Sequence, residues 1–355
     1  MYRNTKNVPY YVFGRGSLAQ LGDLLKPRRE AVDGPVVYFV DHFFRDHELI
    51  GRLPMEKGDQ LHFVDSSSEP EVTRIDAFKE AVSAADSRTP CCVVGIGGGN
   101  ALDTAKAVAN LLTNPGKAED YQGWELVKNP AVYKIGIPTL SGTGSECSRT
   151  CVLTNIPKNL KLGMNSDYTV YDQLLLDPDL LATVPRDQYF YTGIDTFMHC
   201  VESLQGSYRN AIIDAFSVRA VQLCEEIFLS DDMMSEENRE KMMIASYIGG
   251  MAAGNVGVIH PFSAGLGVVL HVAHGLGNCL ALNVLGDIYP KEYKQFRTMI
   301  ERQGVNLPTG ICKDLTEEQY EGLYRGCIVH ENGKIRARYI DPCVELKDLK
   351  PHPEN

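Results

Sequence analysis

Apolar positions along the chain follow two different periods. Up to about residue 177, short apolar runs alternate with stretches whose apolar positions recur every three to four residues, and beyond it only the helical period remains. Residues 10–25 read as a short strand, a turn at Gly14 and Gly16, and a helix opened by Ser17. Residues 36–40 read as a strand ending on Asp41, and residues 72–85 as a helix. Residues 91–96 are a continuous apolar strand, the kind that a parallel sheet covered on both faces requires. Helical patterns then cover residues 186–205, 210–229, 236–253, 260–270 and 278–285. Thr316-Glu317-Glu318-Gln319 forms a capping box that opens one more helix toward Val329. The polar tail 334–355, with two late prolines, carries no signal of order. The pattern predicts an α/β half over 1–177 with a parallel, Rossmann-like sheet, and an all-α half over 178–355. Pro178, which opposes helix continuation after Asp177, marks the hinge.

With 355 residues, 44% of them hydrophobic and 23% charged, the chain has the make-up of an ordinary globular protein large enough for two domains. A net charge of -11 disfavours nucleic acid and anionic membrane as partners and points to small molecules. The first residues lack an apolar leader and no long uncharged apolar run follows, so a cytoplasmic location is expected. Ten Cys without a CxxC pair read as reduced, mostly buried thiols, Cys147 and Cys151 included.

Candidate chemistry gathers between Gly193 and Gly275. Asp195 and His199, four apart on a predicted helix, share a face. His260 and His274 each stand near glycines that let backbone crowd a ligand. One carboxylate and three imidazoles suit a divalent metal, Fe2+ or Zn2+, although an Asp-x-x-x-His pair alone is commonly just solvated. Upstream, Gly97-Gly98-Gly99-Asn100 lies between a strand and a helix, where backbone N–H groups can approach a pyrophosphate; an ordinary tight turn is the alternative. Asp41, just past a strand, suits either the adenosine ribose of NAD or a helix N-cap.

The longer strings are more specific. Gly97-Gly98-Gly99-x-x-x-Asp103-x-Ala105-Lys106 and Pro138-Thr139-Leu140-Ser141-Gly142-Thr143-Gly144-Ser145-Glu146, with Asp195, His199, His260 and His274 in order, resemble the iron-containing, or group III, alcohol dehydrogenases. The resemblance implies the two-domain fold that this family shares with the dehydroquinate synthases. It implies an NAD-binding domain over 1–177 and a helical metal and substrate domain over 178–355. It also implies an NAD- and metal-dependent alcohol dehydrogenase, a homo-oligomer (dimer) as the assembly, and the four named residues as metal ligands. Carried over residue by residue, Asp41, Gly97, Gly98, Gly99, Asn100, Asp103, Thr139, Leu140, Thr143, Lys161 and Leu180 would contact the cofactor. Asn100 stands where Ser is usual, and Leu140 replaces a Thr and its hydroxyl.

Two departures bear on mechanism and substrate. Many relatives have a proton-relaying His four residues after the third ligand, where this chain has Ala264, and His271 is the candidate to substitute for it. The Pro before the last ligand is replaced by Ala273. The missing relay His, the segment Tyr121-Gln122-Gly123-Trp124-Glu125 and a chain shorter than many relatives resemble the sugar-acid members, including the enzyme that oxidises the C8 hydroxyl of 3-deoxy-D-manno-octulosonate (Kdo) in lipopolysaccharide biosynthesis. Such a substrate would want a cation at the pocket, with Arg149 and Arg209 as candidates. A dehydrogenase of small alcohols, diols or glycerol is the alternative, and a dehydroquinate synthase-like lyase, an oxygen-using oxidase and a ligand sensor remain open.

Overall fold

The computed structural model describes residues 6–158, 160–206, 209–253 and 257–328. The predicted helix end at Val329, the tail 334–355 and Cys343 lie outside them.

The first half is built on a parallel sheet of six strands: β1 (Tyr10–Phe13), β2 (Val36–Asp41), β3 (Gln60–Val64), β4 (Cys92–Gly97), β6 (Lys134–Pro138) and β9 (Gln173–Leu176). They stand in the order β1-β9-β6-β4-β2-β3. One face, through Val37, Phe39 and Val93, is covered by α2 (Val72–Ala85) and α3 (Gly99–Leu111). The other, through Val36, Tyr38, Val94 and Ile96, is covered by α1 (Leu21–Ala31). Burial on both sides explains why β2 and β4 are apolar at almost every position. The expected doubly covered parallel sheet is therefore present. A second, three-stranded sheet, β5 (Gly123–Trp124), β7 (Thr150–Asn155) and β8 (Leu160–Asn165), was not foreseen.

Chain order within the sheet reverses between β2 and β4, since β3 lies outside β2 while β4, β6 and β9 step away on its other side. In open α/β sheets that crevice, at the carboxyl ends of the strands, is where ligands bind. Asp41 and Gly97 end the two strands that flank it.

The second half is helical among the described residues: α4 (Arg186–Gln205), α5 (Ala211–Phe228), α6 (Glu236–Ala252), α7 (Ile259–Leu270), α8 (His274–Val284), α9 (Pro290–Gln303) and α10 (Glu317–Ile328). α8 starts four residues earlier than its pattern indicates, and α9 was not predicted. Thr316 and Gln319 form the expected capping box, with Gln319 N–H donating to Thr316 Oγ1 at 3.2 Å and Thr316 N–H to Gln319 Oε1 at 3.0 Å. α4 runs through the middle of the helical core, with Phe190, Ile194, Phe197 and Met198 buried against Phe228, Met242 and Cys279. The junction expected to be the hinge is tied to the start of the chain: the buried Asp177 carboxylate accepts Gly16 and Leu18 N–H at 3.0 Å each, and Asp179 N–H at 3.1 Å.

Candidate metal and nucleotide site

Three helices bring the candidate ligands together. Asp195 and His199 lie one turn apart on α4, His260 is the second residue of α7 and His274 the first of α8. One donor atom from each of the four lies within 4.8 Å of all the others. Asp195 Oδ1 is 3.2 Å from His260 Nε2, 3.6 Å from His199 Nδ1 and 3.7 Å from His274 Nε2. The His199 and His260 rings stack at 4.2 Å. Among the described residues, Asp195 Oδ2 and His199 Nδ1 are buried with no hydrogen-bond partner. Leaving such atoms unpaired is costly, and a divalent cation among the four donors removes the cost. The donor set, one carboxylate oxygen and three imidazole nitrogens, fits Fe2+ or Zn2+.

A second ring of side chains, which the sequence reading missed, aims the first. Buried Glu202 meets His260 Nδ1 through Oε2 and accepts Ile259 N–H at 2.6 Å through Oε1. Asn278 donates to Asp195 Oδ1 at 2.6 Å, and Ser263 Oγ lies 3.1 Å from His274 Nδ1. Thr196 donates to the Gly142 carbonyl at 2.8 Å, joining α4 to the 139–146 loop. Spacing held a faint signal: Glu202 is seven residues after Asp195 and Asn278 four after His274, so each shares its ligand's helix face.

Electrostatics follow from burial and these pairings. Burial pushes the His199 imidazole down to about 4 despite Asp195, and pushes His274 down too. For His260 burial also acts downward, but the Glu202 and Asp195 carboxylates overcome it and lift the ring to about 9. Burial would raise Asp195, yet the imidazoles around it hold its carboxyl well below the usual range. His274 keeps 27% of its side chain open, the most of the four candidate ligands. Beside it, Lys161 pairs with Glu69 at 2.9 Å, and both act electrostatically on the His274 ring.

The nucleotide candidates gather at the strand ends. Gly97 has φ +150°, a conformation that favours glycine, and a Cβ there would come within 2.9 Å of Asp41 Cβ and also crowd Ala101. Asp41 accepts Phe43 N–H at 3.0 Å and Ser66 Oγ–H at 2.9 Å, so it is a cap, and it lines an open hollow of about 730 Å³. The 139–143 loop lies over the glycines: Thr139 N–H donates to the Gly97 carbonyl at 3.0 Å, Leu140 covers Gly98, and Thr143 covers Gly99.

Several candidates are committed to protein partners. Asn100 donates to the Ser68 carbonyl at 2.8 Å. Asp103 accepts Val152 N–H at 2.9 Å and bonds Ser145 Oγ, bracing the loop from beneath. Leu180 is buried against the sheet. His271, the expected substitute relay, is instead the exposed left-handed cap of α7 and stands outside the cluster, because the helix ends there before the chain turns back to His274. Ala264 is buried on α7. Arg149 is bound to Asp167 at 2.7 Å and to Glu125 at 2.6 Å, and Arg209 to Asp214 at 2.9 Å, so both guanidiniums already face carboxylates. Cys91, Cys92, Cys147, Cys151, Cys200, Cys224, Cys279 and Cys327 are buried thiols; burial pushes Cys151 up to about 12 and raises Cys147 as well.

Comparison with known proteins agrees with this geometry. Residues 9–178 match the family model "Iron-containing alcohol dehydrogenase", and residues 189–323 match "Fe-containing alcohol dehydrogenase family, C-terminal". A sulfoacetaldehyde reductase of Bilophila wadsworthia is 34% identical over 60% of this chain and 56% of its own length. An NAD-dependent methanol dehydrogenase of Bacillus methanolicus is 29% identical over 96% of this chain and 90% of its own. Among solved structures, the sulfoacetaldehyde reductase of Bifidobacterium kashiwanohense in complex with NAD+ superposes with a TM-score of 0.78 at 24% identity, covering 94% of this chain and 93% of that one. An alcohol dehydrogenase from Oenococcus oeni superposes with a TM-score of 0.79 at 22% identity, over 94% and 95%. The two matched models together span most of the sequence, and the chain belongs to the iron-containing alcohol dehydrogenases, a family of oxidoreductases that use NAD and a divalent metal.

Proposed function

We propose that this protein interconverts a short primary alcohol and its aldehyde by hydride transfer with NAD. The observation that carries the reading is the convergence of Asp195, His199, His260 and His274, with two buried atoms unpaired, against the 139–146 loop that covers the Gly97 turn. In this reading residues 1–177 hold the nucleotide and residues 178–355 hold metal and substrate. Asp41 would accept from the adenosine ribose. The N–H groups at the start of α3 would face the pyrophosphate, and Thr139, Leu140 and Thr143 would line its path toward the metal. The four ligands would hold Fe2+ or Zn2+, which when bound lowers the pKa of a substrate hydroxyl. With Ala264 in place of an imidazole and His271 exposed, the Lys161–Glu69 pair would be a candidate to carry a proton beside His274.

Substrate size follows from charge. A sugar acid such as Kdo needs a cation to meet its carboxylate, and Arg149 and Arg209 are occupied, so the small-alcohol reading is better supported. An anionic two-carbon aldehyde, by analogy with the sulfoacetaldehyde reductases, would meet the same constraint, since Lys161 beside His274 is paired with Glu69. Dimer formation has its own support in Tyr10, Tyr11 and Phe13, all exposed on the edge strand β1, and light scattering tests it. The test of function is NADH formation or consumption by the Fe(II)- or Zn(II)-loaded protein with methanol, ethanol, 1,3-propanediol, sulfoacetaldehyde and Kdo. Turnover of the small substrates supports the reading, turnover of Kdo alone replaces it with the sugar-acid one, and a reaction without net NADH change points to lyase chemistry.

A further inference from the structure

Asp195 and Glu202 place two carboxylates in the centre of the helical half, and among the described residues neither has a Lys or Arg partner. Both face the same imidazole, Asp195 Oδ1 at 3.2 Å from Nε2 of His260 and Glu202 Oε2 against its Nδ1. Oε1 of Glu202 accepts Ile259 N–H at 2.6 Å and Tyr289 O–H at 3.2 Å. The carboxylate thus grips the first residue of α7 and the ring of the second at once.

From this arrangement, and resting on the metal reading above, we infer that Glu202 is a positioning residue that fixes the His260 tautomer and supplies the second negative charge of the metal centre. A carboxylate has only acceptor oxygens, so the nitrogen facing it must carry hydrogen. Nδ1–H therefore points at Glu202; Nε2, which without metal also faces a carboxylate oxygen, that of Asp195 at 3.2 Å, would give up its hydrogen to a bound cation and turn its lone pair to it. The same carboxylate sets where α7 begins, so ring position and ring orientation share one anchor. Two buried carboxylates and one divalent cation sum to neutral, which removes the cost of burying two uncompensated charges in an apolar core. His199 shows the contrast: its unpaired nitrogen is Nδ1, so it meets the centre through the opposite side of its ring.

Glu202→Gln tests this. Its amide oxygen can keep the Ile259 and Tyr289 bonds, which leaves an NH2 group facing Nδ1 of His260 and forces the hydrogen onto Nε2, where it blocks ligation. The expected result is a folded protein with unchanged NADH affinity and a Zn2+ affinity about 10- to 100-fold weaker by chelator competition, the usual effect of losing such an outer partner. Tyr289→Phe removes a bond to the same carboxylate without touching the ring and should leave Zn2+ affinity within about twofold. Equal Zn2+ affinity in wild type and E202Q overturns the inference, as does a parallel loss in Y289F, which would make Glu202 a structural anchor only. A measurement on the unmodified protein covers the case in which E202Q does not fold. In histidine-15N-labelled, Zn2+-loaded wild type, His260 should show a protonated Nδ1 and His199 a protonated Nε2, and the reverse at His260 overturns the inference. Wild-type protein that takes up no divalent metal removes the functional reading beneath it as well.

Discussion

Gly142 is where the loop over the nucleotide crevice meets the helix that carries Asp195 and His199. Its φ is +148°, and a Cβ there would overlap the Thr192 carbonyl and sit 2.8 Å from Thr192 Cβ. Its N–H donates to Ser246 Oγ at 2.8 Å, and its carbonyl accepts from Thr196 Oγ1 at the same distance. Gly142→Ala therefore combines two costs. Holding alanine in that backbone region costs about 1–3 kcal/mol, and overpacking against backbone that cannot swing aside costs about 1–3 kcal/mol more. The sum, about 2–6 kcal/mol, corresponds to a fall in melting temperature of about 3–8 °C for a chain of this length. The two terms can be separated, because Gly14 has φ +149° with nothing within 4 Å of the position a Cβ would take. Gly14→Ala measures the backbone term alone, and Gly51→Ala, with ordinary φ and open space, should change stability by less than about 0.5 kcal/mol. Thermal and urea unfolding of the three variants by circular dichroism, with NADH titration of each, give the comparison. If G142A is no less stable than G14A, the overlap term is wrong and the loop is not clamped to α4 as described.

The remaining predictions concern charge and ligation. His274→Ala should lose stoichiometric metal by elemental analysis while NADH still binds, and metal retained in the mutant would remove His274 from the ligand set. In metal-free protein, His260 at about 9 lies above its ordinary 6.5, so its contribution is full below about pH 6.5 and lost as pH rises through about 9. His199, depressed to about 4, contributes above about pH 6.5 and loses its contribution as pH falls through about 4, with the lowered Asp195 and Glu202 adding to the acid limb. Melting temperature in chelator should therefore fall on both sides, and a flat profile between about pH 7 and about pH 9 would refute the proton on His260. Lys161→Met should cost about 2 kcal/mol, less than the ~3–5 kcal/mol of a fully buried pair, because Glu69 keeps 26% exposure. Adding Glu69→Gln should restore most of that stability in urea titrations; no recovery would mean that Lys161 acts elsewhere.

The sequence was most readable where one segment carries its own signal. α4 shows a long helical period, the Gly97–Gly99 run follows an apolar strand, and Thr316 and Gln319 cap a helix without help from the rest of the chain. Signals that need a partner were not readable. β8 carries Lys161 as its second residue and buries only Gly163 and Met164, so no apolar run announces it. α9 buries only Phe296, Met299, Ile300 and Gln303 of fourteen residues, too sparse a stripe to stand out. α8 opens on His274-Gly275-Leu276-Gly277, whose glycines oppose a helix until packing against α4 overrides them. The four candidate ligands could be named because the Gly97 and Pro138 strings upstream carry the family resemblance, whereas Asp and His at this spacing alone are commonly just solvated. Glu202, Ser263 and Asn278 look like any polar helix residues until α4, α7 and α8 meet.

The leading strand has a consequence for how the chain is made. β1 pairs in register with β9, Tyr10 beside Gln173 and Phe13 beside Leu176, and the same junction is pinned by Asp177 on Gly16 and Leu18. During synthesis the first strand leaves the ribosome long before its neighbour exists. It waits, with Tyr10 and Tyr11 uncovered, while about 160 residues are added at about 5–20 per second. Closure of the first half is therefore a late, long-range event, and an interval of many seconds passes in which a nascent edge can meet other chains before its own partner arrives.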